Sequence, residues 1–283
     1  PGIGTGMTLQ QACRQAAKAF AAAGIPDPAW DSGLLMERAT GIPPLMARLS
    51  QRELTEAEHS TFAALCQRRL QREPLQYILG EQSFLGRSFH VDSRVLIPRP
   101  ETELLAERAI AALKRFQDAP RALDLCCGSG CLGASLALEV PEARVEAADL
   151  SPEALAVAKD NAQRLGAPVT FLQGDLWQAV AGRCYDLIVS NPPYIPNEAC
   201  ETLQPEVMRE PAMALRGGAD GLDFYRRIAA GVGEHLLPGG VLFLEVGYGQ
   251  AAQVADMLGR EGLKTECHQD YQGILRMVEA WRK

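Results

Sequence analysis

Asp124-Leu125-Cys126-Cys127-Gly128-Ser129-Gly130-Cys131-Leu132-Gly133 decides the fold. The apolar run Ala122 to Cys126 leads into it and the helical run Leu132 to Leu138 leaves it, so it reads as strand, glycine loop, helix. Its glycines at 128, 130 and 133 fit Gly-x-Gly-x-x-Gly. Residues without a Cβ turn sharply and let the backbone approach a ligand. Alone, the pattern suits dinucleotides and other nucleoside cofactors alike.

Reading toward the C-terminus, strands alternate with helices. Arg144 to Asp149 is a strand, and Pro152 to Leu165 is a helix with an early proline and Gly166 at its end. Val169 to Leu172 and Tyr185 to Ser190 are strands, Leu222 to Leu237 a helix, Gly240 to Val246 a strand, and Gln250 to Arg260 a helix. Thr265 to Gln269 and Ile274 to Ala280 flank a turn and predict a closing antiparallel hairpin. Such alternation means an α/β protein whose largely parallel sheet carries helices on both faces, with ligands at the carboxyl ends of the strands.

Toward the N-terminus the pattern changes. Ile97-Pro98-Arg99-Pro100-Glu101-Thr102-Glu103 opens a helix with acids in its first turn, where the helix dipole favours them. Ser83 to Val91 places two apolar runs around Gly86 and reads as a hairpin. Glu73 to Gly80 reads as a break. Before it lie three helices: Leu9 to Phe20, Ala29 to Thr40, and one starting at Thr55 with Glu58 at capping-box spacing. Pro1 to Gly6 reads as an addition ahead of a natural start at Met7.

Three further pieces bear on chemistry. Asp149 ends its strand 19 positions after Gly130, where an acid can accept both ribose hydroxyls; the other reading is a cap before Ser151-Pro152. Asp175, in Gln173-Gly174-Asp175-Leu176-Trp177, can accept from an exocyclic adenine amine, or is a turn residue with Trp177 in the core. Asn191-Pro192-Pro193-Tyr194 follows an apolar strand. Its prolines leave the carbonyls of Asn191 and Pro192 outside any continuing helix or ladder, beside an amide side chain. Such a site can accept both hydrogens of a planar NH2 while Tyr194 packs over the group, or it is a strand-terminating turn. An amide nitrogen is a poor nucleophile, so the gain for methyl transfer is positioning and electrostatics.

Bulk properties set limits. With 283 residues, 47% hydrophobic and 22% charged, the chain is long enough for a large domain and a smaller one. A net charge of -7 argues against binding nucleic acid by bulk charge. The eight cysteines and four histidines match no zinc spacing, so no metal is expected. Free thiols suit a reducing cytosol. No signal peptide and no membrane span is read. His59, His90, His235 and His268 are scattered and expected to be non-catalytic, Glu245 is as readily structural as functional, and Tyr271 is expected to pack.

Asp-x-x-x-Gly-x-Gly at 124–130, Asp149, Asp175 and Asn-Pro-Pro-Tyr at 191–194 together resemble a class I S-adenosylmethionine-dependent amino methyltransferase. With Pro98-Arg99-Pro100-Glu101-Thr102-Glu103, Tyr194-Ile195-Pro196 and Gly218-Ala219-Asp220-Gly221-Leu222 added, the chain from Met7 onward resembles the peptide chain release factor N5-glutamine methyltransferases. The resemblance implies a helical substrate-recognition domain at 7–80, a hairpin linker at 81–100, and a seven-stranded Rossmann-like catalytic domain at 101–283. It implies S-adenosylmethionine as cofactor, S-adenosylhomocysteine as product, and cytoplasmic methylation of the Gly-Gly-Gln glutamine of release factors, without membrane or direct nucleic-acid contact. Carried onto this chain, Cys126, Cys127, Gly128, Ser129 and Gly130 form the cofactor loop. Asp149 is the ribose acid, Asp175 and Leu176 are the adenine-side contacts, and Asn191 faces cofactor and substrate. Asn191, Pro192, Pro193 and Tyr194 hold the glutamine, with Asn191, Pro192 and Tyr194 catalytic. Cys126-Cys127 stands where many relatives have Gly-Thr or Gly-Cys, and Leu176 where some have an aromatic.

Competing readings are an exocyclic-amine methyltransferase of DNA or RNA, a nicotinamide oxidoreductase built on 128–133 and Asp149, and a non-catalytic binding module. Net acidity and the lack of an inserted domain after Tyr194 count against the first.

Overall fold

Thr8 and Thr55 start helices by the same device. Each hydroxyl accepts the backbone N–H three residues on, from Gln11 at 3.2 Å and Glu58 at 3.1 Å, and each of those side chains accepts the threonine N–H in return at 3.0 Å. The computed structural model describes residues 4–282. Pro1 to Ile3, part of the stretch read as an addition before Met7, lie outside the described residues. The rest of that stretch enters strand β1 (Gly4–Thr8), which pairs antiparallel with β2 (Glu53–Thr55).

The chain divides into two compact units. The first runs to Gly80 and adds Gln204–Arg209. It contains β1, α1 (Leu9–Ala22), α2 (Pro28–Thr40), α3 (Pro44–Ala47), β2, α4 (Glu56–Leu70) and α5 (Leu75–Leu79). The sequence pattern locates α1, α2 and α4. The expected break at 73–80 instead holds α5, and the strand pair is also new. Leu9, Phe20, Leu35, Met36 and Leu54 form a fully buried core. Arg69 is buried between Asp31 at 2.8 Å and Glu206 at 3.0 Å, and Arg72 binds Glu206 at 2.6 Å. Burial alone would raise the Glu206 pKa, but hydrogen bonds from Arg72 and Arg69 prevail and hold it at about 2.

The second unit spans Glu81–Leu203 and Glu210–Lys283. It opens with the hairpin β3 (Glu81–Phe84) and β4 (Arg87–His90), followed by α6 (Pro100–Leu113). Then come β5 (Arg121–Leu125), α7 (Cys131–Glu139), β6 (Arg144–Asp149), α8 (Pro152–Leu165), β7 (Val169–Gln173) and β8 (Tyr185–Ser190). The rest is α9 (Ala212–Leu215), α10 (Asp223–His235), β9 (Leu236–Glu245), α11 (Ala251–Arg260), β10 (Lys264–Gln269) and β11 (Leu275–Trp281). The seven-stranded sheet runs β10-β11-β9-β8-β5-β6-β7, with β9, β8, β5, β6 and β7 parallel and the β10–β11 hairpin antiparallel.

Both sheet faces are covered, which is why β5 and β8 read as continuous apolar runs. Ala122, Leu187 and Val189 pack with α6 and α7 on one face, and Leu123, Leu125 and Ile188 pack with α10 on the other. From β5 the chain winds to β6 and β7 on one side and to β8 and β9 on the other. The carboxyl ends of β5 and β8 therefore flank the switch point, where open sheets of this kind bind ligands. All eight cysteines are free thiols. No helix among the described residues is long and apolar enough to cross a membrane.

Candidate active site

Leu125 and Ser190 are partners in the β5–β8 ladder, and the Ser190 hydroxyl donates to the Leu125 carbonyl at 2.5 Å. The residues that follow them, Cys126 and Asn191, therefore start their loops side by side. A cleft opens there, lined by Cys126, Cys127, Gly128, Ser129, Asp149, Asp175, Leu176, Asn191 and Pro193 among others. Those positions, up to 67 residues apart in the chain, are thus brought together. Gly130, Pro192 and Tyr194 do not line it.

The glycine loop is held from behind. Asp124 Oδ2 accepts the Gly133 N–H at 2.9 Å, fixing the first turn of α7, and burial raises its carboxyl to about 7. Asn161 of α8 donates to the Ser129 carbonyl at 3.0 Å and exchanges hydrogen bonds with the His90 backbone, which ties the loop to the β3–β4 hairpin. Cys126 sits at φ +63°, the left-handed region that an L residue enters at a cost. Burial pushes the Cys126 and Cys127 thiols far up and Cys131 to about 12, so none supplies a thiolate nucleophile.

Asp149 is not the cap of α8, a place Ser151 takes; its carboxylate instead ties the glycine loop to the residues before that helix. Its Oδ2 accepts the Gly128 N–H and its Oδ1 the Ser151 N–H, each at 2.9 Å, while the Ser151 hydroxyl caps α8. Each carboxylate oxygen has a further lone pair beyond these contacts. Burial raises the Asp149 pKa.

Asn191 carries the sharpest signal. Its Oδ1 is buried and has no hydrogen-bond partner among the described residues. A buried carbonyl oxygen left so costs roughly 1–3 kcal/mol, and this one belongs to a residue that lines the cleft.

Residues 102–222 match the family described as the methyltransferase small domain, and residues 11–80 match the PrmC N-terminal domain. The release factor glutamine methyltransferase of Moorella thermoacetica is 41% identical over 283 residues, covering 98% of this chain and 99% of its own. That of Geobacter sulfurreducens is 48% identical over 228 residues, covering 80% of this chain and 79% of its own. The chain belongs to the release factor glutamine methyltransferase family. A crystal structure of a methyltransferase from Pyrococcus furiosus superposes with a TM-score of 0.53 at 18% identity, over 71% of this chain and 91% of that one, and shares the fold.

As a member of the release factor glutamine methyltransferase family, this chain is a methyltransferase with the expected α/β, Rossmann-like seven-stranded sheet. Some family-derived positions carry surprises. One Asp175 oxygen is held by Arg227 at 2.7 Å. Leu176 lies at φ +49° and is buried. Trp177 stacks on His235 at 4.5 Å and donates to the Arg227 carbonyl, so it is a packing residue. Tyr271, expected to pack, is 88% exposed: it sits at the turn between β10 and β11. His268 pairs with Glu279 at 2.8 Å, and with Glu266 they cluster on the β10–β11 hairpin, a cross-strand grouping that linear spacing conceals.

Other site residues escape sequence reasoning. Thr102 lines the cleft and donates to buried Glu245 at 2.6 Å; Tyr225 donates to the Glu245 carbonyl at 2.7 Å. Arg99 also lines the cleft and pairs with Glu210. The Pro-Arg-Pro signature is the one local clue to this wall, since nothing near Glu210 advertises its partner.

Proposed function

We propose that this protein transfers a methyl group from S-adenosylmethionine to the side-chain amide nitrogen, N5, of the glutamine in the Gly-Gly-Gln motif of peptide chain release factors. The observation that carries the reading is the buried, unpartnered Asn191 Oδ1 at the carboxyl end of β8, in the same cleft as Asp149 and the glycine loop. Family membership at 41% identity over nearly the whole chain supports the substrate.

The residues present fit the cofactor. Cys126 to Ser129 line the cleft, Asp149 retains acceptor capacity for the ribose, and Leu176 offers an apolar contact beside Asp175 for the adenine. When bound, the sulfonium supplies an electrophilic methyl carbon and its own leaving group. The chain's part is to orient the amide. Asn191 Oδ1 accepts one N–H of the glutamine, the Pro192 carbonyl accepts the other, and the nitrogen lone pair is turned toward the methyl. As the nitrogen gains positive charge and becomes more acidic, both contacts strengthen, so they stabilise the transition state more than the bound amide, and the surplus N–H proton then leaves to water. Burial raises the Tyr194 phenol to about 12, with Glu245 adding to the effect, so the phenol stays neutral.

The remaining expectations belong to the same proposal. Residues 7–80 recognise the substrate, 81–100 link, and 101–283 catalyse; the reaction takes place in the cytoplasm on a protein, without membrane or direct nucleic-acid contact. The test is transfer of labelled methyl to a release factor bearing Gly-Gly-Gln, with a Gly-Gly-Glu variant and bare nucleic acid as parallel substrates. Label confined to the first is the expected result, equal label on Gly-Gly-Glu sinks the glutamine assignment, and label on nucleic acid transfers the site to base amines.

A further inference from the structure

We propose that Gln250 is a positioning residue for methyl transfer: its side-chain amide clamps the carbonyl of Tyr194 and thereby sets the Asn191-Pro192-Pro193 run against the cleft. The inference rests on that run being the amide grip.

Gln250 immediately precedes α11 and is buried. Its Nε2 donates to the Tyr194 carbonyl at 2.9 Å and reaches the Gly221 carbonyl at 3.5 Å. Its Oε1 accepts the Gly247 N–H at 2.7 Å. One primary amide thus joins three loops: the one after β8, the one before α10 and the one after β9. Its two N–H donors and its carbonyl match that demand. A charged, hydroxyl or apolar side chain of the same length lacks either the donor or the acceptor.

The surrounding loops are shaped to this contact. A Cβ on Gly221 would lie 2.4 Å from the Tyr194 carbonyl oxygen and 2.9 Å from Gln250 Nε2. One on Gly247 would lie 2.8 Å from both the Tyr194 ring and Gln250 Oε1. Glycine is needed at both places because Tyr194 and Gln250 already fill the space.

The tetrapeptide is stiff, which makes its ends decisive. Proline fixes φ at 192 and 193. Upstream, Ser190 is locked in β8 and donates to Leu125. Downstream, the Ile195 N–H donates to Leu215 at 3.0 Å and its carbonyl accepts from Gly217 at 2.8 Å. The carbonyl of Tyr194 is the remaining handle, and Gln250 holds it. A displacement of about 1 Å in such a grip costs roughly 100-fold in rate.

The test uses the full chain, S-adenosylmethionine and a Gly-Gly-Gln release factor, with Gln250→Glu and Gln250→Met. Q250E keeps the acceptor for Gly247 and regains a donor for Tyr194 only when its buried carboxyl is protonated. Its turnover relative to the parent is therefore expected to fall about 10-fold or more as pH rises from about 6 to about 9. Q250M should be low at every pH, and cofactor affinity should change less than about 3-fold in both. In protein labelled with 3-fluorotyrosine, the Tyr194 resonance, assigned by its loss in Tyr194→Phe, should shift in both variants without substrate. A pH-independent Q250E ratio together with an unmoved resonance overturns the clamp, and if Q250M fails to fold, Q250E alone decides. A moved resonance in a protein that never methylates glutamine keeps the clamp and removes the amide-grip reading.

Discussion

Arg99 and Glu210, 111 residues apart, meet in a two-pronged ion pair. Arg99 Nη1 donates to Glu210 Oε1 at 2.9 Å and Nη2 to Oε2 at 2.5 Å, while Oε1 also accepts the Ile97 N–H at 2.8 Å. The Glu210 carboxylate is 1% exposed, so the guanidinium is its main compensation for leaving water. Arg99 and Pro98 on one side of the pair and Pro211 and Ala214 on the other all line the cleft. Arg99→Met is expected to destabilise the protein by about 3–5 kcal/mol in urea unfolding. Adding Glu210→Gln to that variant should recover part of the loss, because it removes the stranded charge. No recovery in the double variant would show that Arg99 acts through packing.

Asn191→Ala removes one of the two acceptors proposed for the glutamine amide. The expected loss in turnover is about 100- to 1000-fold, the range seen when a single preorganised polar contact is deleted from an active site. Cofactor affinity, measured by calorimetry, should fall far less, because the contacts proposed for ribose and adenine lie on other loops. Comparable losses in both would assign Asn191 to the cofactor.

Cys126 is an L residue at φ +63° in the loop that follows β5. Cys126→Gly relieves that strain of roughly 1–2 kcal/mol. It also gives the unfolded chain more freedom, at a cost of about 0.5–1 kcal/mol, and forfeits the buried thiol. The two effects nearly cancel, so the unfolding free energy should move by less than about 1 kcal/mol. Cys126→Val places a β-branched residue in the same backbone region and should lose more stability than Cys126→Ala. Equal melting temperatures for the two would mean that the loop relaxes out of the left-handed region.

Features that close within a few residues are legible in the amino-acid order. Tyr185 to Ser190 reads as a buried strand because both of its faces are covered, and the Thr55 and Glu58 capping box marks a helix start because its two hydrogen bonds close within three residues. The cleft residues 126–129, 149 and 191 are legible too, since topology alone sends the ends of parallel strands to one edge. Contacts without a sequence period are not. Glu210 pairs with Arg99, Thr102 with Glu245 and Gln250 with Tyr194 over long separations, and although Arg99, Thr102 and Tyr194 stand in recognisable motifs, nothing in the sequence joins them to Glu210, Glu245 and Gln250. Helix α5 is hidden for another reason: at five residues it is too short to show a hydrophobic repeat.

Glu245 makes stability depend on pH in a stated direction. Burial raises its pKa from the ordinary 4.5 to about 7, against the opposing hydrogen bond from Thr102, and nearby Glu101 adds to the rise. The folded state therefore holds this proton more tightly than the unfolded chain does. The stabilisation it brings is complete below about pH 4.5 and disappears as pH rises through about 7. Asp124, raised to about 7 by burial, acts with the same sign. Glu206 acts oppositely: held at about 2, its contribution is complete above the unfolded value and is lost as pH falls toward 2. Stability should therefore be greater near pH 5 than near pH 8, with Glu245 contributing on the order of 2–3 kcal/mol of the difference. Glu245→Gln carries a permanent neutral amide that can still accept from Thr102, so its stability should fall less steeply over that range. Urea titrations of both proteins at several pH values measure the two slopes. Parallel slopes would mean that the Glu245 carboxyl is already ionised at pH 5 in the folded protein, with Arg276 and Arg99 outweighing its burial.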